Sequence, residues 1–96
     1  MLTIYRHGKF KRDVKKLSRS GAFDIEDLKN VIETLERNIP LDPQKYRPHK
    51  LIGNWQGYMG CHITSISCDW LLVYKIDEKQ KTLNLARTGT HSELFG

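Results

Sequence analysis

Apolar residues recur at helical spacing in the first part of the chain and alternate after residue 48. Leu2 and Ile4, with Thr3 and Tyr5, predict a short first strand. Phe10, Val14 and Leu17 stand at i, i+4 and i+7 and predict a helix, with the basic residues of that segment on its other face. Ser20-Gly21 ends it, because glycine accepts the left-handed cap. Asp24 is a good N-cap for a second helix, and Glu26 and Asp27 suit its positive end. Ile25, Leu28, Val31 or Ile32, and Leu35 form its buried stripe, and Ile39-Pro40 stops it.

All three prolines lie in residues 40–48, which predict a loop. His49–Ile52, Gly57–Thr64, Asp69–Ile76 and Lys81–Arg87 then read as strands, with turns at Gly53-Asn54 and at residues 77–80. The tail after Gly89 reads as a last helical turn. Strand, helix, helix and four strands predict one α+β domain over residues 1–96. Its small twisted sheet is mainly antiparallel, with the helices on one face and the other face open for a ligand. In 58–64 the apolar set Met59, Cys61 and Ile63 should face the helices, which turns His62 to the open side. Leu83, Leu85 and Arg87 share a parity, so Arg87 follows the leucines inward unless a bulge or the strand end turns it.

The chain is basic, with formal charge +5 and pI near 9.4, and the charge is segregated. Residues 6–19 carry seven bases against Asp13, whereas residues 24–36 carry five acids against Lys29. A basic face of this kind suits RNA or an acidic protein. Two cysteines, Cys61 and Cys68, form neither a disulfide framework nor a close-paired zinc motif. No apolar signal core opens the chain, and its longest apolar run, Trp70 to Tyr74, is too short to span a bilayer. The expectation is a cytoplasmic domain with no membrane partner.

The tail Arg87-Thr88-Gly89-Thr90-His91-Ser92-Glu93-Leu94-Phe95 holds three side chains suited to RNA chemistry. Arginine binds phosphate through parallel hydrogen bonds, histidine moves a proton near neutral pH, and an aromatic ring stacks on a base. RNA is cut without metal when its 2′-hydroxyl attacks the adjacent phosphate, which needs a base, an acid and positive charge. His7, His49, His62, His91, Asp69 and Arg87 are the available groups. His49 follows a basic loop containing Lys45 and Arg47, and His7 looks generic. No glycine-rich phosphate loop, CxxC pair or nucleophile elbow is present.

The segments 49–58 (HKLIGNWQGY), 61–63 (CHI), 69–74 (DWLLVY) and 87–95 (RTGTHSELF) resemble the YafQ branch of the RelE/ParE toxin superfamily. The resemblance is close over residues 49–96, and the helical half matches in pattern. It implies a ribosome-dependent mRNA endonuclease of a type II toxin–antitoxin system. The implied partners are the 70S ribosome, mRNA, a cognate acidic antitoxin and, through the antitoxin complex, operator DNA. The family's functional positions fall on His49, His62, Asp69, Trp70, Arg87, His91 and Phe95. His91 is then the general acid, and Asp69 or His62 is the base or its orienter. Arg87 and His49, with Lys50 and Arg47, contact phosphate or substrate, and Trp70 or Phe95 packs on a base. No metal or other cofactor is implied. The chain departs from the family pattern between His62 and Asp69, where six residues intervene and Cys68 replaces proline. Competing readings are a non-catalytic co-repressor module of the same fold and a ParE-like gyrase inhibitor, neither of which needs a full histidine set.

Overall fold

The computed structural model describes residues 1–21, 23–64 and 67–96. Strands β1 (Thr3–Arg6), β2 (His49–Lys50), β3 (Met59–His62), β4 (Leu71–Asp77) and β5 (Thr82–Gly89) form one sheet in the order β1-β5-β4-β3-β2. β1 pairs parallel with β5, and every other pairing is antiparallel. The parallel pair is possible because helices α1 (Gly8–Ser20) and α2 (Ile25–Glu36) supply the long connection it requires. Local chemistry agrees with the sequence at the helix ends. Gly21 closes α1 at φ 69°, and the Asp24 carboxylate accepts the Glu26 backbone N–H at 3.0 Å to cap α2.

The helices cover one face of the sheet. Phe10, Leu17, Leu28, Val31 and Leu35 pack against Cys61, Ile63, Trp70, Leu72, Tyr74, Leu83 and Leu85. Both β4 and β5 are apolar on two faces because they are central strands. Their second face is not left open, contrary to expectation. Leu71, Val73, Ala86 and Leu94 form a smaller cluster there, flanked by Leu51, Trp55 and Tyr58. A thin domain gains by covering those residues, and the expected turn at Gly53 is a 3₁₀ turn, Gly53–Trp55, that helps to do so. The predicted strand 49–52 accordingly pairs only at His49 and Lys50. The tail forms a short helix, α3 (His91–Phe95), which contributes Leu94 to the same cover.

The parity of Arg87 is decided by a bulge. Tyr74 pairs with Leu85 but Val73 pairs with Arg87, so Ala86 is the extra residue. Arg87 therefore leaves the inward register of Leu83 and Leu85 and stands opposite Val73. Cys61 is fully buried, and burial pushes its thiol up to about 12. It is a small core residue without thiolate chemistry at neutral pH.

Candidate active site

The candidate site lies where β3 ends, β4 begins and α3 starts. Gly89 closes β5 at φ 158° with Glu93 packed against it, and Thr90 then caps α3. Thr90 and Glu93 form a capping box: Glu93 Oε1 accepts the Thr90 backbone N–H at 2.9 Å, and Thr90 Oγ1 accepts the Glu93 N–H at 3.3 Å. Glu93 Oε2 also accepts from Lys16 Nζ of α1 at 2.8 Å. The Lys16 ammonium, followed by the Thr90 N–H, holds the Glu93 carboxyl at about 2, well below the usual range. The helix that carries His91 is thus tied to α1.

Asp69, just before β4, makes the central contact. Its Oδ1 accepts the His91 backbone N–H at 2.9 Å and faces His91 Nδ1 at 2.9 Å. These bonds, the backbone one first, hold its carboxyl below the ordinary carboxylate range. The intervening segment departs from the family pattern, and residues 65 and 66 lie outside the described residues. Asp69 nevertheless meets His91. His62 ends β3 with its ring centroid 6.3 Å from that of His91, and the Phe95 ring centroid lies 6.0 Å from that of His91.

His49 pairs with Gly60, which shares its face with His62 two residues on, so β2 and β3 turn both imidazoles to one side. A side chain at Gly60 would sit 3.0 Å from Leu51 Cδ2 and 3.6 Å from His49 Cε1, so glycine is what lets those residues lie across β3. The three histidines share a further property. Nδ1 faces the Arg47 carbonyl in His49 (2.9 Å), the Cys68 carbonyl in His62 (3.4 Å) and the Asp69 carboxylate in His91 (2.9 Å). An oxygen of this kind accepts, so Nδ1 carries the proton in each, and Nε2 is left for exchange with a ligand.

Other expected residues fall elsewhere. Trp70 does not reach the site: it is 0% exposed, packs on Phe23 with ring centroids 4.7 Å apart, and donates Nε1–H to Thr88 Oγ1 at 2.9 Å. Its parity places it under the helices while Asp69 emerges at the strand end, so the expected base-packing role is corrected to a core role. Arg87 pairs with Asp13 of α1 rather than standing free. Lys50 pairs with Met59 and so leaves β2 on the face opposite His49. Arg47 is exposed at φ 47°, and its carbonyl oxygen holds His49. His7 precedes α1 with its ring edge-on to that of Tyr5, centroids 5.4 Å apart.

Sequence reasoning missed Asp13, Lys16, Glu93 and Thr88 as supports of the site. Two signals were present: Asp13 is the lone acid of a basic run, and Thr90-x-x-Glu93 has the spacing of a capping box. Among the described residues no three His, Cys, Asp or Glu side chains cluster as metal ligands, and no helix is long and apolar enough to cross a membrane.

Comparison with known proteins places this geometry. Residues 2–96 match the family described as the bacterial toxin of type II toxin-antitoxin system, YafQ. The mRNA interferase toxin YafQ of Escherichia coli strain K12 is 40% identical over 90 residues, which cover 93% of this chain and 90% of that protein. A metal-bound toxin from Helicobacter pylori superposes with a TM-score of 0.86 at 42% identity, covering 99% of this chain and all of that one. The E. coli DinJ-YafQ toxin-antitoxin complex contains a chain that superposes with a TM-score of 0.81 at 36% identity, covering 99% of this chain and 98% of its own. The fold, the end-to-end match and these relatives agree: the chain belongs to the YafQ toxins of the RelE/ParE toxin–antitoxin superfamily.

Proposed function

We propose that this protein is a ribosome-dependent mRNA endonuclease that cuts through the RNA 2′-hydroxyl by acid–base catalysis, without a metal ion. The observation that carries the reading is the Asp69–His91 pair at 2.9 Å with the His62 ring 6.3 Å away. In the proposed reaction His62 Nε2 takes the 2′-hydroxyl proton and the 2′-oxygen bonds to phosphorus. The bond from phosphorus to the 5′-oxygen breaks, and protonated His91 gives its Nε2 proton to that oxygen. The products are a 2′,3′-cyclic phosphate and a 5′-hydroxyl end. Asp69 orients His91 and stabilises its imidazolium, which requires the carboxylate to stay ionised. Its lowered pKa suits that task. His49, on the same face, meets the phosphate, helped by Arg47, and Phe95 packs beside a base; Lys50, on the opposite face of β2, takes no part. Arg87 positions the end of β5, since Asp13 already engages its charge.

The partners in this reading are the ribosome with its mRNA and a cognate antitoxin, as in the toxin-antitoxin complex of the E. coli relative. The antitoxin carries the complex to operator DNA. The exposed lysines and arginines of α1 suit ribosomal RNA or an acidic antitoxin segment. The test expresses wild type and His91→Ala alone and assays each purified protein on mRNA with and without ribosomes. Growth arrest and ribosome-dependent cutting by wild type are expected, with cutting reduced about 10²–10⁴-fold in the variant. Equal arrest by both proteins would instead indicate gyrase poisoning or sequestration.

A further inference from the structure

The 3₁₀ turn and the far end of α3 face each other across a groove of about 520 Å³, lined by Ile52, Asn54, Trp55, Leu94 and Phe95. Ile52 is 88% exposed and Phe95 44%, so two large apolar side chains stand in solvent on its walls. The Asn54 side chain has no hydrogen-bond partner among the described residues. The turn is held firmly. Gln56 N–H donates to the Gly53 carbonyl at 3.1 Å, Tyr58 N–H to Trp55 at 3.0 Å, and Leu51 N–H to Tyr58 at 2.9 Å. Trp55 stands edge-on to Tyr58 with centroids 5.5 Å apart. The opposite wall is the helix that carries His91, whose ring lies 6.0 Å from that of Phe95.

Apolar walls beside an unpaired amide suit a flat ring with a hydrogen-bonding edge. We propose that this groove is a nucleobase subsite, taking the base of a nucleotide next to the scissile phosphate. Asn54 reads the edge of that base, and Ile52 and Phe95 pack on its faces. The inference rests on the ribonuclease reading above. A base is favoured over an apolar peptide side chain for two reasons. The groove opens beside His91, where the phosphate must come, and an apolar side chain would bury the Asn54 amide unsatisfied.

The test maps every cut in ribosome-bound mRNAs of varied sequence by wild type, Asn54→Ala and Ile52→Ser. Both positions are exposed, so the variants should keep the wild-type thermal midpoint. Asn54→Ala is expected to weaken the base preference at the cut site about tenfold, and Ile52→Ser to raise KM severalfold with an unchanged pH profile. Wild-type preference and KM in both variants would overturn the subsite. Normal cutting with lost affinity for a co-expressed partner would overturn it too and assign the groove to a protein. If wild type cuts no RNA, the ribonuclease reading is what fails. The groove is then judged by whether a short single-stranded RNA quenches tryptophan emission in wild type but not in Trp55→Phe, and absence of quenching overturns it.

Discussion

Asp13 holds Arg87 through two parallel hydrogen bonds, from Nε to Oδ2 at 2.7 Å and from Nη2 to Oδ1 at 3.0 Å. The same Oδ2 accepts the Thr88 backbone N–H at 3.1 Å. β1 ends at Arg6, so beyond Leu85 β5 has no strand on its β1 side, only β4 on the other, and one carboxylate from α1 takes over on the open side. The side chains are 21% and 14% exposed, which places the pair between surface and core. Removing Asp13 orphans a guanidinium and a backbone donor together. Asp13→Ala should cost about 1–3 kcal/mol in urea unfolding. The double variant Asp13→Ala/Arg87→Met should recover part of that loss, because it leaves no unpaired charge. Equal stability of Asp13→Ala and wild type would show that the clasp contributes nothing.

Trp70 separates a core role from a substrate role. Trp70→Phe deletes the donor to Thr88 Oγ1, and Thr88 itself donates to the Leu71 carbonyl at 2.8 Å. The variant should lose about 1–3 kcal/mol of stability. At temperatures where it stays folded, it should cut RNA at close to the wild-type rate. A large rate loss with stability intact would return Trp70 to the site.

Asp69→Asn tests whether the carboxylate acts through His91. The amide keeps an oxygen near the His91 N–H but loses the charge that stabilises an imidazolium. Cutting should fall, by less than the about 10²–10⁴-fold expected for removing the imidazole. An undiminished rate would make Asp69 a helix cap and nothing more.

Glu93 supplies a pH dependence of stability. Its pKa in the folded protein, about 2, lies below the unfolded value of about 4.3. A depressed carboxylate contributes stability above its unfolded pKa and loses it as pH falls through the folded one. The advantage of wild type over Glu93→Gln should therefore be full at neutral pH and shrink between about pH 4.3 and pH 2. High salt should reduce it as well, because Lys16 is largely exposed. A constant difference across that range would show that the Lys16 pair and the capping box depend little on ionisation.

The basic face of α1 is tested with Lys16 left in place, since Lys16 serves Glu93. Charge reversal at the exposed residues Lys11, Lys15 and Arg19 should weaken ribosome binding and flatten its salt dependence, because fewer counterions are released. Unchanged affinity and slope in a binding titration over a range of salt would mean that the face is only solvated.

The sequence by itself determined the elements, because their signals are local. Helical spacing of Phe10, Val14 and Leu17, the Asp24 cap and the alternation at Met59, Cys61 and Ile63 each depend on residues a few positions apart. The same alternation turned His62 to the face it occupies. The tertiary structure decided what depends on partners distant in sequence. Asp13 meets Arg87 across 74 positions, and Lys16 meets Glu93 across 77. Neither pair leaves a periodic trace. The bulge at Ala86 reset the parity of Arg87, and no residue type near it announces a bulge. Trp70 and Asp69 are adjacent in the chain, yet one lies in the core and the other meets His91 in solvent. Neighbours in a strand point to opposite sides, and where that strand ends is settled only by the packing around it.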